Sequence, residues 1–566
     1  MAAKPSAKRV EKPGPPSASR DPFLVRELLP AAALLLLTGV LLYGHTLKVP
    51  FYLDDTRALL DNTTLRDLGS AFGHLFGQRG LTNLTFALNY RMSGWSLAPL
   101  HLVNLVLHAG CGLLAWLLLR RLLGPGRWLP LLGALLFVAH PLQTEGVTYL
   151  VQRATVLSAF LFMLAVLFYL RAREARIAGV GRTAPARLCP LGGAVLAGAL
   201  AVLAKENAAS LPLLLLVYEG LFPCPGERRW REAVSDIWPF FVVPLLVGLT
   251  VLVLPLLRGE TLALYLAPGE QRNDALHYLV TQFTVIWNYL RLLVFPWNQA
   301  LIHDYPLAKQ LLSGWSLLGL VGLLALGWLA WRLRRTLPLV ALGISWFFLG
   351  LAVESSFIPL DPMFEHRVYL PLFGFLLALL GGLSALLPPP RVAIVCGVAL
   401  LACLPLTWQR NALWTEPLAF YLDNFRVVAG RLGADPQPSP GRLILHDNLG
   451  LLYLERGQFD EAITHFGQAV AMYPNHVEGR NNLGLALTRK RQLDEAITEF
   501  RLVLQADPRH SRAHNNLGVA LVGKGRLEEA IAEFRTALDI APDVPGGRKN
   551  LELALALAQQ QKAAVP

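Results

Sequence analysis

Two carboxylates stand side by side in FYLDD at residues 51–55, directly after the apolar run LLPAAALLLLTGVLLYGHTL at 29–48. Placing an ionised carboxylate at the edge of a membrane is costly unless something compensates it. Asp54 and Asp55 are therefore candidates for chemistry. A carboxylate at that depth can take the proton from a hydroxyl acceptor, and Arg, Lys or His can neutralise a phosphate leaving group. Such groups recur where other apolar runs end. They are Arg79, Asn83 and Asn89 in RGLTNLTFALNY, His140, Glu145 and Arg153 in HPLQTEGVTYLVQR, and Lys205 and Glu206 in AKEN. His303 and Asp304 in IHDYP follow, then Glu354, Asp361, Glu365, His366 and Arg367 in ESSFIPLDPMFEHR. Ionisable groups at membrane depth line cavities, which makes this face the candidate active site. The chain has no Gly-rich phosphate loop and no GxGxxG, so a lipid-linked phosphate donor fits better than a soluble nucleotide.

Most of these residues also have a plainer use. In DDTRALLDN the acids could cap the helix that follows. His140 before Pro141 could simply end a helix, and Arg153 and Arg291 could snorkel at an interface. Both uses stay open on the residues alone. Glu365, His366 and Arg367 are three adjacent ionisable residues at the start of a span, more than anchoring requires.

The positioning elements follow from composition. With 566 residues, 54% hydrophobic and only 16% charged, the chain is too apolar for a soluble protein. The net charge of +12 lies in short clusters beside apolar runs, a pattern that serves membrane orientation and argues against nucleic-acid binding. Cys111, Cys189, Cys224, Cys396 and Cys403 sit in or beside apolar segments without CxxC or zinc-like spacing, so no disulfide framework is implied. No cluster forces a metal, and a divalent ion is left open.

Residues 1–27, with Lys4, Lys8, Arg9, Lys12, Arg20 and Arg26, read as a disordered basic cytoplasmic tail. The clusters Arg120/Arg121/Arg127, Arg171/Arg173/Arg176/Arg182/Arg187, Arg228/Arg229/Arg231 and Arg332/Arg334/Arg335 are then cytoplasmic too. Alternation predicts about eleven spans, near 28–48, 100–120, 129–148, 154–170, 189–204, 208–222, 237–257, 312–331, 337–354, 368–387 and 391–408. Segment 272–306 is apolar enough to enter the membrane, yet the flanking arginine clusters leave both its ends outside, so it reads as a re-entrant or interfacial helix. This polytopic domain covers 28–408, followed by a linker at 409–442.

From 443 to 566 the sequence repeats every 34 residues, marked by Leu449-Gly450, Leu483-Gly484 and Leu517-Gly518, by Ala462, Ala496 and Ala530, by Phe466, Phe500 and Phe534, and by Pro474, Pro508 and Pro542. These markers are the signature of three tetratricopeptide repeats, with a capping helix at 550–562. Asn448, Asn482 and Asn516 recur in phase. They read either as a ladder of amides that holds a peptide backbone, or as ordinary repeat consensus. The fold class is all-α, a polytopic membrane domain followed by a helical solenoid.

FYLDD, RGLTNLTFALNYRMSG, HLVNLVLH, HPLQTEGVTYLVQRATVLSA, LAKEN, QFTVIWNYLRLLVFPWNQALIHDYP, FEHRVYLPLFGF, TWQRNALW and the repeats together resemble the transmembrane and tetratricopeptide-repeat-containing O-mannosyltransferase family, including its bacterial relatives, within the GT-C glycosyltransferase superfamily. The resemblance implies inverting transfer of a sugar, such as mannose, from a polyprenyl-phosphate donor to Ser or Thr of an acceptor protein. It implies Asp54 as base with Asp55 shaping the site, and Arg153, Lys205, Glu365, His366 and Arg367 toward the donor phosphate. Arg79, Asn83, His140, Glu145, Glu206, His303 and Asp304 line the cavity in this reading, and the repeats hold the acceptor. The expected setting is a bacterial inner membrane with periplasmic repeats, or equivalently an endoplasmic reticulum membrane with lumenal repeats. A non-catalytic scaffold and a transferase of whole lipid-linked oligosaccharides are the alternatives.

Overall fold

The structure, a computed structural model, describes residues 22–124, 128–223, 227–246, 275–308, 310, 313–356, 358, 360–432 and 439–563. It is helical throughout the described residues. The chain forms two units. One comprises Met1–Trp297 with Leu307–Ala412, and the other Asn298–Pro306 with Leu413–Pro566.

Among the described residues, six helices are long and apolar enough to cross a membrane: Arg26–Lys48, Leu97–Leu123, Leu150–Ile177, Pro185–Ala204, Gly314–Leu333 and Pro389–Trp414. The chain is a multi-pass membrane protein. Several predicted spans are shorter than expected, among them helices Leu129–Ala139, Pro338–Leu351 and Pro371–Leu386. At about 1.5 Å per residue, 11–16 residues fall short of a hydrocarbon core about 30 Å thick. Proline explains the first case. Pro141 halts the helix at His140, and the rest of that expected span becomes the short helix Gln143–Thr148. The span expected at 208–222 is the 11-residue helix Leu211–Leu221. The one expected at 237–257 lies outside the described residues from 247 onward, as do residues 1–21 of the basic tail. Segment 272–306 contains the helix Ala275–Val294, and residues 298–306 belong to the second unit.

Two features brace the first unit. Helices Pro338–Leu351 and Pro371–Leu386 pack backbone to backbone, since a Cβ on Gly343 would lie 2.4 Å from the amide nitrogen of Ala378. That contact fixes both ends of the loop carrying ESSFIPLDPMFEHR. The orienting arginines are also structural: Arg176 bonds Glu219 at 2.5 Å and Asp236 at 2.9 Å, and Arg187 bonds Asp236 at 2.9 Å. All four side chains are buried, so each charge needs its partner.

The second unit contains the helix Pro417–Leu432, then the pairs Pro440–Glu455 with Phe459–Met472, Val477–Arg489 with Leu493–Ala506, and Ser511–Gly523 with Leu527–Ile540, then Gly547–Ala563. The expected linker is therefore largely helical, from the end of helix Pro389–Trp414 through Leu432. Its ADPQPSP stretch lies outside the described residues up to 438. The repeat markers have a steric basis. A Cβ on Gly450, Gly484 or Gly518 would lie 2.6, 2.7 or 2.5 Å from Phe466, Phe500 or Phe534. Glycine lets the two helices of each pair close over a buried phenylalanine, and the alanines Ala462, Ala496 and Ala530 complete that core.

The asparagines correct the peptide-ladder reading. Asn516 donates its amide to Asn481 of the preceding repeat at 3.1 Å, and Asn448 donates to the Ile444 carbonyl of its own helix at 2.7 Å. Asn550 of the closing helix repeats the bond, donating to Asn515 at 3.0 Å. The amide groups stitch neighbouring first helices together, through partners one residue earlier in the repeat.

Candidate active site

The segment His140–Arg153 is the hub of the first unit. On one side it receives FYLDD. The Asp54 amide donates to the Tyr149 hydroxyl at 3.0 Å, while Asp55 accepts from the amides of Val151 at 2.8 Å and Tyr52 at 3.1 Å. Asp55 is 1% exposed, and Asp54 is exposed. Burial, with a smaller push from Asp54, raises the Asp55 carboxyl to about 7 against the pull of its two backbone donors. The adjacent acids thus divide their work: one is a buried brace, the other faces outward.

On its other side the hub receives FEHR. The Glu365 amide donates to Glu145 at 3.1 Å, and Nδ1 of His366 lies 2.5 Å from the same carboxyl group. Burial raises Glu145, with the Glu365 carboxylate adding to it. Burial lowers His366, with Lys205, Arg367 and Arg79 adding to that. Burial thus works against charge on both partners of this short contact, and the cations around His366 oppose a further one there.

The other motifs hold the hub in place. In helix Leu97–Leu123, His101 donates to the Val49 carbonyl at 2.9 Å just before FYLDD, and Asn104 donates to the Val147 carbonyl at 3.2 Å. His108 is 2.6 Å from the Tyr369 hydroxyl and 3.1 Å from the Val138 carbonyl. From TWQRNALW, Asn411 accepts from Thr148 at 2.8 Å and donates to Leu42 at 3.0 Å. Tyr278 and Gln282 of helix Ala275–Val294 donate to the carbonyls of Glu354 and Pro362 at 2.7 and 2.9 Å, and the Tyr289 hydroxyl accepts from the Phe364 amide at 3.1 Å.

Cations gather on the 352–367 loop. Lys205 bonds Glu354 at 2.7 Å and Thr155 at 3.0 Å. Burial alone would protonate Glu354, yet Lys205, Arg367 and Arg79 outweigh it and hold the carboxyl below its ordinary range. Lys205 is lowered by burial, and Glu354 opposes that shift. Nε of Arg79, Nε of Arg367 and Oε2 of Glu354 are buried without a partner. Asp361 joins the cluster: burial raises it, Arg367 opposes, and Asp54 adds to the rise, so the exposed carboxylate lies within electrostatic reach of the cationic loop. Arg79 is presented at φ 54, just before Gly80, where a Cβ would come within 2.1 Å of the Leu75 carbonyl.

Several expected site residues do other work. Arg153 is 0% exposed, donating to Asn104 at 2.9 Å, Asn89 at 2.6 Å and the Leu100 carbonyl at 2.9 Å, with its guanidinium 3.9 Å from the centre of the Phe86 ring. It is a strut, enclosed on every side, and no phosphate reaches it. His140 uses both nitrogens, one 3.0 Å from the Leu293 carbonyl and one accepting from the Leu142 amide at 3.2 Å. It joins the hub to helix Ala275–Val294. Asp304 and His303 lie in the second unit, where Asp304 accepts from the Gly441 amide at 3.3 Å at the start of the first repeat helix. That is a helix cap, not a cavity wall. Asn83 and Glu206 are half-buried. Glu354 and Asp361 are the residues the sequence left outside the donor site, although both stood in the loop it singled out. Among the described residues, no three His, Cys, Asp or Glu side chains gather as a metal would need.

Comparison with known proteins places these features. The tetratricopeptide repeat family matches residues 448–511 and 501–545. Human protein O-mannosyl-transferase TMTC3 is 24% identical over 488 residues, covering 77% of this chain and 50% of that protein. Mouse protein O-mannosyl-transferase TMTC1 is 31% identical over 220 residues, 36% of this chain and 23% of the relative. Protein O-mannosyl-transferase tmtc2 of Xenopus laevis is 35% identical over 164 residues, 26% and 19% respectively. The chain thus spans half or less of the length of these curated relatives. Among solved structures, the first TPR domain of the human RPAP3 protein aligns at 19% identity with a TM-score of 0.22, covering 22% of this chain and 98% of that one.

Proposed function

The chain is a relative of the transmembrane and tetratricopeptide-repeat-containing O-mannosyltransferase family, and on that premise we propose that it is a membrane glycosyltransferase of GT-C type. It moves a sugar, mannose in this reading, from a polyprenyl-phosphate donor to a Ser or Thr hydroxyl of a protein. The reaction takes place on the non-cytoplasmic side, which for a bacterial inner membrane is the periplasm. The observation that carries the proposal is the division of FYLDD into a buried Asp55 and an outward Asp54 beside a cationic loop with orphaned donors.

Asp54 takes the proton of the acceptor hydroxyl, whose oxygen attacks the anomeric carbon from the face opposite the phosphate. The bond from that carbon to the phosphate oxygen breaks, the configuration inverts, and polyprenyl phosphate leaves with the electron pair. The donor is a phosphodiester with a single negative charge, and the leaving group is a monoester approaching two. Lys205, Arg367 and Arg79 set three cations against the carboxylates of Glu354 and Asp361, a surplus of one. The net positive field acts more strongly on the phosphate as its charge grows, so it favours the transition state over bound substrate.

The test uses purified protein and its Asp54→Asn variant in nanodiscs, with radiolabelled polyprenyl-phosphate mannose and a Ser-containing acceptor peptide. Transfer by the parent and loss of transfer in a folded variant support the proposal. An acceptor that stays unlabelled with every lipid-linked sugar offered, while the repeats still bind a partner, turns the reading to a non-catalytic scaffold.

A further inference from the structure

The turn within FYLDD is held in a conformation that its residues do not favour. The Asp55 amide donates to the Tyr52 carbonyl at 2.8 Å, and the Tyr52 amide donates back to the Asp55 carboxylate at 3.1 Å, which leaves Leu53 and Asp54 as the two central residues of a tight turn. Leu53 has a φ of 38°. Glycine takes a positive φ at the first central position of such a turn freely, whereas a side chain there crowds the carbonyl that follows. Among the described residues of the first unit, the non-glycine residues with positive φ are Leu53 and Arg79, and both lie between the first two expected spans, in the segment that presents Asp54. Such strain persists only where the surroundings over-determine it.

The hub supplies that hold. Leu59 after the turn is buried in one apolar cluster with Leu150, and Phe51 before the turn packs against the same cluster, so both ends are fixed to the hub. The Val151 amide fixes the Asp55 carboxylate at 2.8 Å. The remaining bond is at the centre of the turn. Asp54 is exposed, yet its amide donates at 3.0 Å to the hydroxyl of Tyr149, a residue 2% exposed and 95 positions further along the chain. The central amide of a tight turn takes no part in the hydrogen bond that closes the turn, and at an exposed residue water ordinarily serves it. Relaxing Leu53 to a negative φ re-aims the peptide group it shares with Asp54. Tyr149 opposes that relaxation, because the re-aimed amide loses its acceptor.

We propose that Tyr149 is a positioning residue of the transfer reaction, whose hydroxyl holds the Leu53–Asp54 peptide in its strained orientation and so aims the Asp54 carboxylate at the acceptor hydroxyl. The inference deepens the transferase reading given above and rests on it. In this role Tyr149 touches no reacting atom and acts through the backbone of Asp54. Misplacing a reacting group by about 1 Å can cost about a hundredfold in rate, so one hydroxyl set back from the sugar governs turnover.

The test compares the full-length protein in nanodiscs with its Tyr149→Phe and Leu53→Gly variants and with the two combined. Tyr149→Phe keeps the ring and leaves the Asp54 amide to water, so the protein still folds. Its kcat is expected to fall about tenfold or more, while the KM for polyprenyl-phosphate mannose stays within about twofold of the parent's. Hydrogen exchange is expected to quicken over residues 51–56, with the rest of the hub unchanged. With glycine at position 53 the turn needs no holding, so in that background the loss on Tyr149→Phe should shrink to about threefold or less. A merely structural defect would persist or deepen there, since glycine loosens the chain further. An undiminished loss in the Leu53→Gly background overturns the proposal, as does an unchanged kcat or unchanged exchange over 51–56 in Tyr149→Phe. A parent that transfers no sugar overturns the transferase reading instead, and the exchange measurement, made without donor, still decides whether Tyr149 holds the turn.

Discussion

His446 and His465 meet Nδ1 to Nδ1 at 2.9 Å, at the place where the next two repeats hold Arg480 with Glu499 at 2.7 Å and His514 with Glu533 at 2.6 Å. One hydrogen suffices for two neutral imidazoles, and two protonated rings would repel. Burial holds both rings below the ordinary histidine range, His446 down to about 4, with Arg442 and each other's charge adding to the shift in His446. Phe425 and the Tyr453 ring pack on the pair from the neighbouring helices. A base depressed in the folded state contributes stability above its unfolded value and withdraws it as pH falls toward the folded one. The unfolding midpoint of the protein should fall between pH about 6.5 and about 4, and His465→Glu, restoring the acid of the other repeats, should flatten that fall in a thermal scan.

The two FYLDD acids should separate cleanly. Asp54→Asn should fold normally and lose transfer by about a hundredfold or more, as removal of a catalytic base does. Asp55→Ala strips two buried amides of their acceptor and should lower stability by about 1–3 kcal/mol. Transfer assays and chemical denaturation on the same preparations distinguish the two roles.

Lys205 and Glu354 form a buried pair, so removing one partner strands the other. Lys205→Met should destabilise by about 3–5 kcal/mol, and the double variant with Glu354→Gln should regain most of that loss. Lys205→Met lowers the cationic surplus by one and Glu354→Gln restores it, so transfer should fall in the single variant and recover in part in the double. Transfer that stays unchanged in the single variant would remove Lys205 from the proposed mechanism.

Arg153→Lys gives up a planar set of hydrogen bonds and the stacking on Phe86. The expected outcome is a lower unfolding midpoint with the KM for lipid donor unchanged. A raised KM in folded protein would return Arg153 to the phosphate.

Gly484→Ala forces a Cβ to within 2.7 Å of the Phe500 ring and should cost about 1–3 kcal/mol. Adding Phe500→Leu should recover part of that, a coupling that a double-mutant cycle reads directly.

Periodicity exposed the repeats fully, because four kinds of marker shared one spacing and each had a steric cause. Apolar length exposed the long spans but overstated Leu129–Ala139, where an apolar run continues past a proline. Charge drew attention to loops that meet around the His140–Arg153 segment, yet the neighbours of particular residues differ from those expected. Arg153 and His140 are polar at the right depth, and only three-dimensional neighbours show that their donors and acceptors are already engaged. Asp304 went furthest astray, since nothing local in IHDYP tells that it caps a helix 137 residues later. The asparagine ladder was visible, but its partners Asn481 and Asn515 stood one place earlier and looked like ordinary repetition.

The Gly–Phe closure recurs inside each helix pair, and an Asn–Asn bond joins the second pair to the third and the third to the closing helix. A whole period is thus an interchangeable part. Inserting or deleting one lengthens or shortens the array, with no new kind of side chain required and no alteration to FYLDD or FEHR, so array length and the membrane unit can vary independently.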